Sequence, residues 1–495
     1  MVCSVTDPVH QGEGQTAGER KLKALADQTF LSLWSYPGVF RDQGAVGGSR
    51  DGKEVCDLLI VFDPHVIIFS DKDCRFPDGN TDDLQKRWDR WFRRAVLASA
   101  DQIWGAERWI RAFPDRLFLD RRCSKRFPYP LPPLERLRLH RVVVAHDGAR
   151  ACRDALGGSG SLVIAPEHRG PPFTIPDLDP AKGFVHVFDD TSLDIVMSNL
   201  DTIADFVAYL ERKERLIRAG RLILATGEEE LLAYYLWHVD RDGNHDFVLP
   251  VGADALALKE EGYWAAFSAS EERQAELAAN TVSYLWDRMI GMFNESILDG
   301  TIESVLSPTV AHHEARLRML AREPRARRRG LATALGTFIE SNRSSDMAIR
   351  VVAPTEAGVP YYVFVVLRYG ASMPHAEYRQ ARQRLLEACC GCVKLRYPDA
   401  EDIVGVATET DASLGHSEDV MYLDARRWTA ADGEWVRERQ EELGIFRDMK
   451  VTEVTEPVLR RVRQRIEAPG GRNEPCPCGS GLKSKKCCGR VSRRP

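Results

Sequence analysis

The spacing of apolar residues changes several times along the chain, and each change predicts an element. Between Thr16 and Leu33, Leu22, Leu25, Ala26 and Phe30 fall near helical spacing, so a helix is expected there. A Gly-rich loop follows at Gly44–Gly52. Two short runs rich in Ile, Val and Phe, Leu58–Phe62 and Val66–Phe69, are split by Asp63-Pro64-His65 and predict paired strands. Past the turn at Pro77-Asp78-Gly79, residues Leu84, Trp88, Trp91, Phe92, Ala95 and Val96 recur every three or four positions and make one apolar helix face. Arg141–Ala145 and Leu162–Ala165 predict further strands, and Pro166–Pro180 predicts a linker. From about residue 190 to 345 the pattern is mainly helical, with Leu200–Ile217, Glu228–His238 and Glu271–Phe293 the clearest stretches. Beyond 346, Ala348–Ala353, Tyr361–Arg368 and Ile403–Thr408 predict strands around a helix at Ala376–Ala388, a second and smaller α/β unit. The fold class expected is mixed α/β, divided at 1–165, 166–345, 346–455, a basic linker 456–472 and a tail 473–495.

Composition narrows the class of protein. The 495 residues are 44% hydrophobic and 28% charged, which predicts globular structure in two to four domains. A net charge of -5 argues against a uniformly basic nucleic-acid coat and leaves room for local basic patches. No stretch reaches the ~18 consecutive apolar residues of a membrane helix, and the first thirty residues carry Glu13, Glu19 and Asp27 without an apolar core, so a cytoplasmic protein is expected. Of twelve cysteines, four lie in the tail and Cys389, Cys390 and Cys392 lie together, a pattern of reduced thiols plus a metal site. Cys389, Cys390 and Cys392 lack a fourth ligand at recognisable spacing and are expected to be buried thiols.

The tail reads Cys476-Pro-Cys478-Gly-Ser-Gly-Leu-Lys-Ser-Lys-Lys-Cys487-Cys488-Gly489. Two thiols one residue apart, a turn with Gly479 and Gly481, and two adjacent thiols suit a tetrahedral zinc ion. Lys483, Lys485 and Lys486 offset the charge of four thiolates. So short a segment has almost no core, and Zn(2+) must supply most of its folding free energy. Spacing and filler resemble the SEC-C motif, the zinc-binding tail of the SecA preprotein translocase. The resemblance implies zinc ligation by Cys476, Cys478, Cys487 and Cys488 and a docking role toward a protein or ribosomal partner. It does not imply a motor: Gly47–Glu54 resembles a phosphate-binding loop, but Glu54 stands where Ser or Thr is needed and a strand follows. Arg327–Ala332, similar to an acetyl-CoA loop, follows helical sequence where a strand is required.

One further constellation carries chemistry. With the hairpin turn centred on Asp63-Pro64, Phe62 faces His65, Asp57 faces Ser70, and Lys72 shares the face of Ser70. A one-residue slip at the proline would send Lys72 to the other face. The arrangement resembles the PD-(D/E)xK nuclease superfamily, in which a helix glutamate, a hairpin aspartate and an acid-x-lysine bind a divalent metal and cleave phosphodiesters. That resemblance implies a restriction-endonuclease-like sheet in residues 1–165, catalytic roles for Glu19, Asp57, Ser70 and Lys72, and Mg(2+) as catalytic metal. Ser70 stands where the second acid belongs; Asp82, Asp83 and Asp89, or Glu54 and Asp71, are the candidates to replace it. Trp88, Trp91, Trp104 and Trp109 interleave with arginines from Arg87 to Arg108; Trp88 and Trp91 have core spacing, and the arginines remain for phosphate. Two readings therefore stand: a Mg-dependent endonuclease acting on DNA or RNA, with foreign nucleic acid as a target by analogy, and a non-catalytic adaptor that docks through its zinc tail.

Overall fold

In the structure, a computed structural model, residues 7–43, 51–78, 83–168, 170–302, 309–354, 356, 358–370, 373–410 and 417–447 are described. The fold is mixed α/β and divides into two compact units. Among the described residues, one comprises 7–278 with 294–302, and the other comprises 279–293 with 309–447.

The first unit is organised by a five-stranded sheet. Its first helix, α1 (Ala17–Thr29), starts where the hydroxyl of Thr16 accepts the amide N–H of Glu19, and the Glu19 carboxylate in turn accepts the amide N–H of Gln15 at 2.6 Å. The first bond satisfies an amide that a helix start leaves unpaired, and the second fixes the residue before the cap. Leu22 and Ala26 are buried on its inner face. Strands β1 (Ser35–Arg41), β2 (Lys53–Phe62) and β3 (His65–Lys72) form an antiparallel meander, with Phe62 opposite His65 and Leu58 opposite Phe69. The proline in the turn leaves that register unshifted. After α2 (Leu84–Phe92), a π-helical turn at Arg93–Leu97 and α3 (Ala98–Ala112), strand β4 (Arg138–Ala145) joins parallel to β3. A fifth strand, Val185–Asp189, pairs parallel with β4, so the sheet draws on sequence beyond residue 165.

Five consecutive residues of β3, Val66–Ser70, are buried. Only a strand covered on both faces shows that pattern, and both α1 and α3 pack against it. Trp88 and Trp91 belong to the same core, while Arg90, Arg93 and Arg94 on the same helical stretch are exposed. The Pro-rich segment 166–180 is woven into the unit: Thr174–Ile175 pairs with Val163–Ile164 in a small second sheet with Leu222–Ala225 and Leu256–Leu258. Those strands run only two to four residues, too short to show a period of two.

The second unit carries a four-stranded sheet in the order Met347–Val352, Tyr361–Leu367, Asp402–Glu409, Asp419–Asp424, with the central pair parallel. Helix His375–Arg396 crosses it and buries Cys389, Cys390 and Cys392 in the apolar core. Arg325–Ala332 is helical, without a preceding strand. The same helix, His375–Arg396, packs against Ala430–Leu443 at Gly391, where an added Cβ would lie 2.3 Å from Val436 Cγ2. Gly391→Leu is therefore expected to destabilise this unit by about 1–3 kcal/mol through overpacking, read as a lower midpoint in urea denaturation.

Candidate functional site

Strands β3, β4 and Val185–Asp189 run parallel and end together, with Lys72, Ala145 and Asp189 in register. Polar residues gather just past such strand ends because the apolar ladder stops there while the backbone still fixes their directions. Asp71 comes from β3, His146 follows β4, and Asp190 follows the fifth strand. His146 Nε2 lies 2.5 Å from Asp71 Oδ1, and its Nδ1 lies 2.5 Å from Asp190 Oδ1. Burial works against charge on the ring, yet the hydrogen bonds to Asp190 and Asp71 outweigh it and push the imidazole up to about 10. His146 is thus a cation clamped between two carboxylates. Asp190 also accepts the amide N–H of Asp147 at 2.6 Å.

On the neighbouring strand, the Asp57 carboxylate accepts the amide N–H of Asp71 at 2.6 Å. Burial raises its pKa to about 6, the charges of Glu19 and Asp71 add to that rise, and the Asp71 amide pulls the other way. Glu54, three residues earlier on β2, is pushed up to about 7 by burial first and then by the charges of Asp57 and Glu19. Four carboxylates, from Glu19, Glu54, Asp57 and Asp71, therefore act on a common region below the first turn of α1. Gly18 makes that approach feasible, since a Cβ there would sit 2.8 Å from Asp71 Oδ2.

Of the residues expected from the sequence, Glu19 and Asp57 are close enough to raise each other's neighbours, and Asp57 meets the peptide that follows Ser70. Ser70 itself is fully buried. The residue between Ser and Lys, Asp71, supplies the carboxylate there, with only 3% of its side chain exposed and Oδ2 lacking a hydrogen-bond partner. Lys72 is exposed, and its carbonyl accepts the amide N–H of His146. Asp83 caps α2 by accepting the amide N–H of Gln85, and Asp89 takes a hydrogen bond from the Gln85 side chain, so both have local structural partners. Asp82 and the zinc ligands Cys476, Cys478, Cys487 and Cys488 lie outside the described residues.

A divalent cation suits this donor set in two respects: an unpaired, buried carboxylate oxygen at Asp71, and two acids, Asp57 and Glu54, whose ionisation is held back first by burial and then by neighbouring carboxylates. The four carboxylates are nevertheless spread out. Among the described residues, the group with three donor atoms within 4.8 Å of one another is His65, His140 and Glu211. His146 and Asp190 escaped the sequence reading because they are distant from the hairpin in sequence. The signal available was three apolar runs that each stop on charged residues: Phe-Ser-Asp71, Val-Val-Ala-His146 and Val-Phe-Asp-Asp190.

Comparison with known proteins bears on the tail. Residues 472–490 match the SEC-C motif, so the chain carries that motif. The SecA translocase subunit of Syntrophotalea carbinolica is 46% identical over 54 residues, 11% of this chain and 6% of that protein. SecA of Carboxydothermus hydrogenoformans is 46% identical over 57 residues, 8% of this chain and 6% of its own. SecA of Pelotomaculum thermopropionicum reaches 73% over 27 residues, 6% and 3% respectively. The chain thus spans only a small fraction of the length of these relatives. No solved structure matches. No helix among the described residues is long and apolar enough to cross a membrane.

Two pH signatures follow from opposite causes. His146 is raised above its unfolded value of about 6.5, so its contribution is complete below that value and is lost as pH climbs through about 10. His146→Gln is expected to cost about 1–3 kcal/mol near neutral pH, with the gap from wild type closing above that upper pH in urea titrations. Glu54 is also raised, but it is an acid, so its charge costs stability as pH rises from 4.5 through about 7. Glu54→Gln should match wild type in mild acid and exceed it above neutrality, by no more than about 1 kcal/mol after solvent screening.

Proposed function

We propose that this protein is a metal-dependent nuclease of the PD-(D/E)xK type that carries a zinc-binding docking tail. The observation that carries the reading is the meeting of Asp57 with the Ser70–Asp71 peptide beneath the Glu19-bearing end of α1. Helix glutamate, hairpin aspartate and strand lysine occur here in the order that the superfamily uses. The missing second acid is supplied in this reading by Asp71 in place of Ser70.

Mg(2+) would be held by Asp57 and Asp71 with help from Glu19 and Glu54, and when bound it would polarise a phosphodiester and offset its charge. The protein's own groups do the rest. Lys72, exposed at the strand end, meets the anionic backbone of a bound DNA or RNA strand. The exposed Arg90, Arg93 and Arg94 supply further phosphate contacts. His146 holds Asp71 through Oδ1, and its Oδ2, which lies against Gly18 without a hydrogen bond, would be the oxygen offered to a cation.

A second reading is favoured by the tail. The SEC-C motif binds zinc in SecA, and the same cysteines, Cys476, Cys478, Cys487 and Cys488, would hold Zn(2+) here and present a surface to a protein or ribosomal partner. In that reading the protein is an adaptor and the acidic region is a relic.

A cleavage assay with single- and double-stranded DNA and RNA, in magnesium or manganese, separates the two. Catalysis predicts that Asp57→Asn, Asp71→Asn and Lys72→Ala each lower the rate about 100-fold or more while circular dichroism stays native. Absence of metal-dependent cleavage by the wild-type chain on every substrate would remove the nuclease reading and leave the adaptor.

A further inference from the structure

The opposite end of β3 carries a different set of donors. His65 opens the strand just after the Asp63-Pro64 turn, His140 lies on β4, and Glu211 projects from helix Ile203–Arg218. His65 Nδ1 and His140 Nε2 are 3.0 Å apart, and a Glu211 carboxylate oxygen completes a trio within 4.8 Å. We propose that His65, His140 and Glu211 form a binding site for a divalent transition-metal ion, zinc foremost. This site is separate from the acidic region: seven residues of extended chain at about 3.3 Å each put it roughly 23 Å from Lys72.

The geometry is that of ligands sharing one ion. Metal–nitrogen bonds of about 2.1 Å place neighbouring donors about 3.0 Å apart in an octahedral shell and about 3.4 Å in a tetrahedral one. Ligation also needs neutral imidazoles with free lone pairs. Burial, then the charges of His65, Arg141 and Arg138, lowers His140 to about 3, and burial lowers His65 as well. Both rings are therefore unprotonated at neutral pH. Two imidazoles and one carboxylate are borderline donors that favour zinc or its transition-metal neighbours over magnesium.

The same 3.0 Å separation would serve a simple imidazole–imidazole hydrogen bond, and nearby arginines oppose a cation. Arg141 is neutralised by Glu107, with nitrogen–oxygen distances of 2.6 Å on both arms. Arg138 reaches Glu211 at 3.3 Å, but 61% of its side chain is exposed. An ion pair of that kind contributes about 0–1 kcal/mol, so a metal ion displaces it readily. Three protein donors leave coordination positions to solvent, and Glu211 and His65 are only half-buried. The ion would clamp β3, β4 and helix Ile203–Arg218 together.

The test must exclude zinc held by the tail. In the full chain with Cys487→Ser and Cys488→Ser, zinc added to demetallated protein is counted by atomic absorption after desalting. About one bound zinc per chain is expected, and Glu211→Gln in that background should weaken binding by at least about tenfold. His140→Ala should abolish it. Cobalt in place of zinc should give visible absorption without the thiolate charge-transfer band of a cysteine site. A tail-ablated chain that holds no zinc, or one whose zinc is indifferent to both Glu211→Gln and His140→Ala, overturns the proposal. Because Glu211 is partly exposed, Glu211→Gln serves as the deciding variant should His140→Ala fail to fold, and urea denaturation without zinc checks its integrity.

Discussion

Everything at the strand ends of the first unit depends on one charge arrangement: a protonated imidazole, His146, held between the carboxylates of Asp71 and Asp190. Carboxylates this close to a parallel sheet repel one another and resist burial. The imidazolium allows two of them to be ionised, and it ties β4 to both of its neighbours at the point where the ladder ends. Asp57 is placed against the same group through the Asp71 amide. What the cation does not reach stays frustrated, namely Glu54, Asp57 and the free oxygen of Asp71. Under the nuclease reading proposed above, a cation would complete this partly satisfied frame.

The backbone makes this possible at little cost in core packing. β3 buries Val66–Ser70 continuously, so its middle contributes apolar surface on both faces while polar chemistry is confined to its two ends. His65 stands at one end and Asp71 with Lys72 at the other. A surface strand, with one face wet, would have spread polar residues along its whole length.

Much of this was legible in the sequence, for identifiable reasons. The hairpin register could be counted because the apolar runs on both sides of Asp63-Pro64 are unbroken, and the structure pairs Phe62 with His65 as that count required. Helix α1 was legible from Leu22 and Ala26 at helical spacing. The short strands Leu222–Ala225 and Leu256–Leu258 were not, because three or four residues carry no period. At the candidate site, Asp57 and Asp71 could be brought together by counting along one hairpin, whereas His146 and Asp190 required knowing that β4 and Val185–Asp189 are neighbours. Parallel pairing across intervening helices leaves no local mark in a sequence. Ser70 is fully buried and its side chain bears on Asp57, while the carboxylate of the next residue, Asp71, is the one engaged by His146.

The donors along this chain sort by chemical hardness, and that sorting bears on how several ions could coexist. Carboxylate oxygens gather at one end of β3, imidazole nitrogens with one carboxylate at the other, and thiols in the tail. Magnesium prefers all-oxygen shells, and zinc prefers nitrogen and sulfur. A chain that mixed these donors in one place would load whichever ion bound tightest, and zinc would exclude magnesium from any site containing imidazole. His146, protonated and engaged on both nitrogens, offers no lone pair to a metal. Under the nuclease reading proposed above, the same clamp that steadies Asp71 would also keep this imidazole from drawing zinc into the acidic region.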